Sequence, residues 1–305
     1  MTHVDAFVRE LAHALVERYA DMRAGEGCNL EEAAAATLPC HEQPEFLAVR
    51  LAARMLSFVE DDVTCITQAW TAQTMRTGRF DIEAWPTEPQ DFGIAPLPRA
   101  HAFAPCPQAL GLYAVLPDAQ WVARMAQAGV PTVQLRFKSD DRQAIAREVQ
   151  AAVRAVQGTN ALLFINDHWQ EAIDAGAYGV HLGQEDMDDA PLERIRQAGL
   201  RLGLSTHGYA EMLRADAVSP SYLALGAVFP TTLKRMKTAP QGLGRLHAYA
   251  RLMRHHSLVA IGGIDMASLP HVMRSGVGSV AVVRAITGAP DPIAAAHALQ
   301  EHMRA

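Results

Sequence analysis

The chain has 305 residues and an apolar fraction of 50%, enough for one barrel-sized domain with a large core plus a smaller companion. Its formal charge of -6 at pH 7, with no Lys/Arg tract or stripe, excludes the electrostatic footprint of a nucleic-acid binder. No window approaches the roughly 18 apolar residues of a membrane span, and Met1-Thr2-His3-Val4-Asp5 lacks the basic and apolar stretches of a signal peptide, so the expected compartment is the cytoplasm.

At the N-terminal end, Val4, Phe7, Val8, Leu11, Leu15 and Tyr19 recur at spacings of three and four, which predicts an amphipathic helix. A second helical pattern runs from residue 45 through 56 towards Met75. Nothing in this stretch carries recognisable chemistry. Cys28, Cys40, Cys65 and Cys106 are widely spaced, without a C-x-x-C pair or a zinc pattern, and are expected to be reduced structural thiols. Between residues 85 and 107 the prolines cluster (Pro86, Pro89, Pro96, Pro98, Pro105, Pro107) and periodicity fades, as in a linker or a strap lying on a surface. The expected boundary lies near Cys106, giving a small, mainly helical N-terminal region with its linker over 1–105 and a second domain over 106–305.

From there short runs rich in Val, Leu and Ile alternate with amphipathic stretches of helical length. The runs are 111–116, 132–138, 161–166, 179–183, 201–206, 222–229, 258–263 and 279–283. Strand, helix and strand at this spacing imply right-handed crossovers and a parallel sheet, and eight such units predict an α/β fold, a closed (β/α)8 barrel. A doubly wound open sheet is the structural alternative.

Each run ends in a polar cluster, and a ring of parallel strands presents all its strand ends on one face. In the second run Gln134, Arg136 and Lys138 alternate with Val133, Leu135 and Phe137. If the apolar set meets the helices, an amide and two cations point into the barrel, where unpaired charge is costly. A guanidinium fork and an ammonium together suit phosphate or diphosphate oxygens, although a salt-bridged barrel interior would use the same residues.

Asp167 closes the third run and Asp186 follows the fourth. Neighbouring strands lie about 4.8 Å apart, so the two carboxylates can share one hard cation, Mg2+ fitting best; either could instead cap the helix that follows. Glu185 reads as solvated. Ser205 and His207 share a face at the fifth strand end, with no obvious acid partner, so hydrogen-bond donation is favoured over a nucleophilic triad. His247, His255 and His256 fall in helical surface patterns and read as structural. Lys234, after Phe229-Pro230-Thr231-Thr232-Leu233, sits on a loop able to reach an anion. Gly262-Gly263 permits close approach of backbone N–H groups to a phosphate, or is simply a tight turn; loops after strands seven and eight are the usual phosphate seat of barrels.

Taken in order, Val-Gln-Leu-Arg-x-Lys, Ile-Asn-Asp, Gly-Val-His-Leu-Gly-Gln-x-Asp, Ser-Thr-His, Phe-Pro-Thr-x-x-Lys and Gly-Gly-Ile resemble thiamine phosphate synthase over about residues 109–290. That resemblance implies a TIM barrel transferase of thiamine biosynthesis. It joins 4-amino-2-methyl-5-hydroxymethylpyrimidine diphosphate to a thiazole phosphate and releases diphosphate, with magnesium. It further implies that Gln134 contacts the pyrimidine, that Arg136, Lys138, Asn166 and Lys234 hold the diphosphate, and that Asp167 and Asp186 bind magnesium. Ser205 would lie beside the reacting centre, and Thr231, with backbone around Gly263 and Val283, would seat the thiazole phosphate. The partners implied are small molecules, neither nucleic acid nor membrane; the oligomeric state is open, a homo-oligomer included.

The chain departs from the family pattern at Phe137, where Glu is common, at Leu233, where a second Thr is common, and at Arg284, where a small residue is common. Phe137 is expected to face the helices. Leu233 removes a hydroxyl from the thiazole-phosphate side, and Arg284 adds a charge there. The Gly25-Glu26-Gly27-Cys28-Asn29-Leu30 segment faintly resembles the glycine-cysteine turn of hydroxymethylpyrimidine phosphate kinases but is too short for a working kinase. Two competing readings remain. A thiazole tautomerase-like isomerase would lack the paired aspartates and carry a histidine at Ala227. A non-catalytic phosphate-ligand-binding barrel would use the fold alone.

Overall fold

The computed structural model describes residues 5–35, 42–231 and 238–304. Eight parallel strands, β1 (Gly111–Leu116), β2 (Thr132–Leu135), β3 (Leu162–Asn166), β4 (Gly179–Leu182), β5 (Arg201–Thr206), β6 (Tyr222–Leu225), β7 (Leu258–Ala260) and β8 (Ser279–Val282), pair in sequence order. β8 returns to β1 and closes the barrel. β1 and β5 match the sequence expectation, whereas β2, β6 and β7 stop three or more residues early. Apolar residues beyond them, such as Ala227 and Val228, are buried as loop rather than strand, a distinction that hydrophobicity alone does not carry.

Strand alternation sorts the side chains into two cores. Leu112, Ala114 and Leu116 of β1 face outward into the large cluster beneath the helices, as do Val133 and Leu135 of β2. Tyr113, Phe164, Tyr222 and Val259 turn inward and fill the barrel. The Phe164 and Tyr222 rings meet edge to face at 5.1 Å between centroids, a geometry that adds about 1 kcal/mol to their burial. A Cβ on Gly203 would fall 2.1 Å from Cζ of Tyr222, so β5 needs glycine there to admit the ring. This aromatic layer floors the barrel and leaves its C-terminal mouth open.

Among the described residues four α-helices precede the barrel: α1 (Ala6–Arg18), α2 (Leu30–Ala35), α3 (Pro44–Met55) and α4 (Glu60–Thr77). The Asp5 side chain caps α1 by accepting from Phe7 N at 2.9 Å. Its buried stripe is Val8, Ala12, Leu15 and Val16, and Phe7, expected on that stripe, is 52% exposed. The second helical pattern divides between α3 and α4 at Ser57, whose φ is 67°, and the exposed Met75 lies outside the core. The Gly25–Leu30 turn leads into α2 through a reciprocal cap, Asn29 Oδ1 accepting from Glu32 N and Glu32 Oε2 from Asn29 N.

The proline-rich stretch runs along the barrel as a strap. Arg99 donates to both carboxylate oxygens of Asp216, at 3.0 and 2.8 Å, Phe103 N donates to Ser219 O, and Ser257 Oγ donates to Pro107 O. His256, expected at a helix surface, is buried and bonds Asp216 through Nε2 at 2.7 Å. Burial opposes ionisation of Asp216, yet bonds from His256 and Arg99 hold its carboxyl below the ordinary range.

Around the barrel lie α5 (Ala119–Gln127), α6 (Arg142–Ala155), α7 (Trp169–Ala175), α8 (Gln184–Asp189), α9 (Leu192–Gln197), α10 (Tyr209–Ala217) and α11 (Gly242–Leu252). α12 (Leu269–Met273), α13 (Arg284–Thr287) and α14 (Pro292–Arg304) complete the ring. Cys28, Cys65 and Cys106 form no disulfide, and Cys40 lies outside the described residues. Among the described residues no helix is long and apolar enough to cross a membrane.

Candidate active site

The open mouth is a cavity of about 950 Å³, near the upper end of the range for small-molecule sites and roomy enough for two substrates. Tyr113 and Tyr222 form its floor, and every strand or the loop after it contributes to the wall. Gln134, Arg136, Lys138, Asn166, Asp167, Asp186, Ser205, Thr231, Gly263 and Val283, all expected from the sequence, line it together. Lys234 and Leu233 lie outside the described residues.

The cationic side of the site is built at the end of β2. Gln134 points inward, is only 4% exposed, and its Nε2 lies 3.5 Å from Asn166 Oδ1 on β3. Arg136 and Lys138 were expected to point into the barrel interior as strand residues. Instead β2 ends at Leu135, and both cations stand on the rim of the cavity, Arg136 partly and Lys138 more fully exposed. Phe137 packs against the outer core and its carbonyl accepts from His168 Nε2 at 3.0 Å, so this departure points away from the cavity.

Lys138 is not an unpaired cation. Its Nζ lies 2.5 Å from Asp167 Oδ2. Asp167 follows β3 and adopts a left-handed φ of 62°, costing about 1 kcal/mol, which turns the chain out of the strand direction. Asp186 lies one element on, in the first turn of α8, where Oδ2 accepts from Gly183 N at 3.2 Å; the helix-capping role and a place on the cavity wall coincide. Glu185 also lines the cavity.

Among the described residues no group of three or more His, Cys, Asp or Glu side chains is placed to hold a metal. Asp167 and Asp186 offer hard carboxylate oxygens on the adjacent ends of β3 and β4, paired Asn166 to His181. A two-carboxylate set fits a magnesium ion that keeps its waters and takes its other ligands from a phosphate ester, and fits poorly an ion that needs a full protein cage.

Ser205 stands at the cavity end of a chain of hydrogen bonds that runs through one imidazole to two phenols. Its Oγ is 2.8 Å from His181 Nε2, His181 Nδ1 is 2.7 Å from Tyr222 OH, and Tyr222 OH is 2.8 Å from Tyr113 OH. Burial raises both tyrosines well above the ordinary phenol range, so their hydroxyls stay protonated. A phenol occupies the place a triad carboxylate would hold, which agrees with hydrogen bonding rather than nucleophilic attack. His207 does have an acid partner, contrary to the sequence reading. Glu211 Oε2 accepts from both its backbone N and Nδ1, at 2.9 and 2.7 Å, across one turn of α10.

The polar strand ends do not point to His181 and the two tyrosines, which lie deeper in the barrel. Their signal was a histidine at an inward mid-strand position of β4. On the opposite wall, Gly262 and Gly263 have φ of 94° and 67°, and a Cβ on Gly263 would lie 2.6 Å from Pro230 O. The double glycine is thus required for the loop after β7 to nest against the loop after β6, beside Thr231. Arg284 stands after β8 and lines the same wall.

Residues 112–286 match the family model described as thiamine monophosphate synthase. The chain is 55% identical to a thiamine-phosphate synthase of Neisseria meningitidis serogroup A over 65% of its own length and 97% of that protein's. It is 52% identical to the synthase of Cronobacter sakazakii, over 62% and 90%. A solved thiamine phosphate pyrophosphorylase from Pyrococcus furiosus superposes with a TM-score of 0.58 at 28% identity, covering 64% of this chain and 96% of that one. The chain therefore belongs to the thiamine monophosphate synthase family.

Proposed function

We propose that the chain is a thiamine phosphate synthase. It joins the pyrimidine methyl diphosphate to the thiazole phosphate and releases diphosphate, by a dissociative substitution at the pyrimidine methylene. The observation that carries this reading is the convergence of two cations, Arg136 and Lys138, and two carboxylates, Asp167 and Asp186, on one wall of a cavity whose opposite wall holds Thr231, Gly263 and Val283. An isomerase with a single phosphorylated substrate has no use for the first wall.

In this reading Gln134, fixed at the barrel interior, orients the pyrimidine ring. Arg136, Lys138, Asn166 and Lys234 receive the diphosphate. Asp167 and Asp186 would hold a magnesium ion, which when bound neutralises diphosphate charge. As the carbon–oxygen bond breaks, both electrons leave with the diphosphate, and the electron-rich aminopyrimidine supports the methylene cation. The thiazole nitrogen then donates its lone pair to that carbon. Charge builds on the leaving group, so donors already aimed at it supply the largest share of the rate. Ser205, held by His181, donates beside the reacting centre. Thr231 with the backbone of Gly263 and Val283 seats the thiazole phosphate, and Arg284 adds a cation where the family commonly has a small residue. The setting is the cytoplasm and the partners are the two small phosphorylated substrates.

Purified chain, magnesium and both substrates should yield thiamine phosphate and diphosphate in equal amounts by mass. Formation of neither, with both substrates unchanged, would refute the reading; isomerised thiazole phosphate in place of a coupled product would favour the tautomerase.

A further inference from the structure

A carboxylate from the N-terminal helices reaches the active-site wall from behind. Asp62, in the first turn of α4, is 3% exposed, and its Oδ1 accepts from Ala210 N at 2.9 Å. Ala210 belongs to the first turn of α10, the helix that follows directly on the Ser205-Thr206-His207 wall. The N-cap of that helix is Gly208, which has no side chain to satisfy the first amides, so the capping oxygen comes from a residue far away in sequence. A Cβ on Gly208 would lie 2.2 Å from Asp62 Oδ2. The contact closes only with glycine there.

Other groups from the same region grip the same turn. Tyr209, next to Gly208, is fully buried; its hydroxyl accepts from Trp85 Nε1 at 2.9 Å, and its ring stacks on Phe92 at 5.1 Å and meets Phe58 at 6.0 Å. From within the same turn, Glu211 reaches back across Gly208 and accepts from both the backbone N and Nδ1 of His207. A continuous set of contacts therefore runs from Asp62 and Trp85 through the start of α10 to Glu211 and the imidazole on the cavity wall.

We infer that Asp62 is a positioning residue for the active site: by capping α10 from outside the barrel it sets where Glu211 holds His207, and with it the Ser205–His207 wall. The N-terminal helices thereby act as a structural part of the catalytic domain. A misplacement of about 1 Å in such a wall can cost up to about a hundredfold in rate, which leaves ample room for a measurable effect.

The kinetic arm of the test rests on the synthase reading; a second arm does not. In the full chain, Asp62→Ala should lower kcat/KM about tenfold at a temperature well below its melting point, and should move or broaden the NMR resonance of His207 Cε1–H. Asp62→Asn, which keeps an acceptor oxygen, should restore both. Trp85→Phe, which removes the donor to Tyr209 and trims the ring that packs on Tyr19, Phe58 and Trp70, should give a smaller change of the same kind and serves if Asp62→Ala does not fold. If the wild-type chain makes no thiamine phosphate yet the His207 resonance still responds, the synthase reading fails and the positioning role stands. If the wild type turns over while every folded variant keeps wild-type kcat/KM and an unmoved resonance, Asp62 serves stability alone and the inference is overturned.

Discussion

Lys138 and Asp167 form an ion pair at 2.5 Å across the ends of β2 and β3, so the cation assigned to diphosphate and the carboxylate assigned to magnesium occupy one corner of the cavity. Both side chains are partly exposed, and such a pair contributes no more than about 1 kcal/mol to stability. Lys138→Met is therefore expected to leave the melting temperature within about 2 °C of wild type while weakening productive binding of the pyrimidine diphosphate at least tenfold. Differential scanning calorimetry alongside steady-state kinetics checks this; a large drop in melting temperature with unchanged KM would assign the pair a structural role.

The bonds joining Ser205, His181, Tyr222 and Tyr113 separate a donor from its support. Ser205→Ala removes a small, partly buried hydroxyl and should lower kcat by about ten- to a hundredfold at nearly unchanged stability. His181→Ala should also destabilise, because the buried Tyr222 hydroxyl loses one of its two partners and keeps only Tyr113, at a cost of about 1 kcal/mol. Urea unfolding of the two variants distinguishes them; equal stability losses would contradict the arrangement.

Burial pushes the Asp62 carboxyl up to about 6, opposed by the Ala210 amide and by Arg245 of α11 and reinforced by Glu211 of α10. An acid raised in the folded state holds its proton there while the unfolded chain has lost it. Folding stability attributable to Asp62 therefore falls as pH rises from about 4 to about 6 and is level above, by a total on the order of 3 kcal/mol. Asp62→Asn escapes that fall, so its stability relative to wild type should increase across the window. A difference independent of pH between 4 and 7 would contradict the raised value.

Asp216 behaves in the opposite sense. Its carboxyl is held below the ordinary value, so its contribution is present above that value and lost as pH falls through the folded one. Arg99→Ala breaks a mostly buried pair that fastens the proline strap and should cost about 2–4 kcal/mol at pH 7, with less loss at pH 3. The urea midpoint followed against pH provides the check.

Fold and site were legible to different depths. The barrel could be counted from the chain because each strand announces itself within a short apolar run between amphipathic helical stretches, and the site followed because polar residues at strand ends must converge on one face. Strand limits were less legible: Val228 and the residues around it are apolar in order to pack a loop, and nothing local separates that from a strand. His181 lay within a quoted motif but could be assigned only once Ser205 and Tyr222 were seen on either side of it. The Glu211 partner of His207 was in reach of an i,i+4 reading, since the helix begins immediately after the strand. Asp62 carried no signal at all. In sequence it is one of three acids in the first turn of α4, an ordinary helix-dipole pattern, and its bond to Ala210 spans 148 positions. The strap contacts of Arg99 and Ser257 are hidden for the same reason.

The central claim is that Asp167 and Asp186 together handle the leaving diphosphate. It is tested most directly by the rate of diphosphate release during a magnesium titration of wild type, Asp167→Ala and Asp186→Ala with both substrates present. Wild type should release diphosphate at a rate that saturates with magnesium, with equimolar thiamine phosphate, and each variant should lose at least a hundredfold of that rate with the fold retained. Wild-type turnover and magnesium dependence in either variant would contradict it.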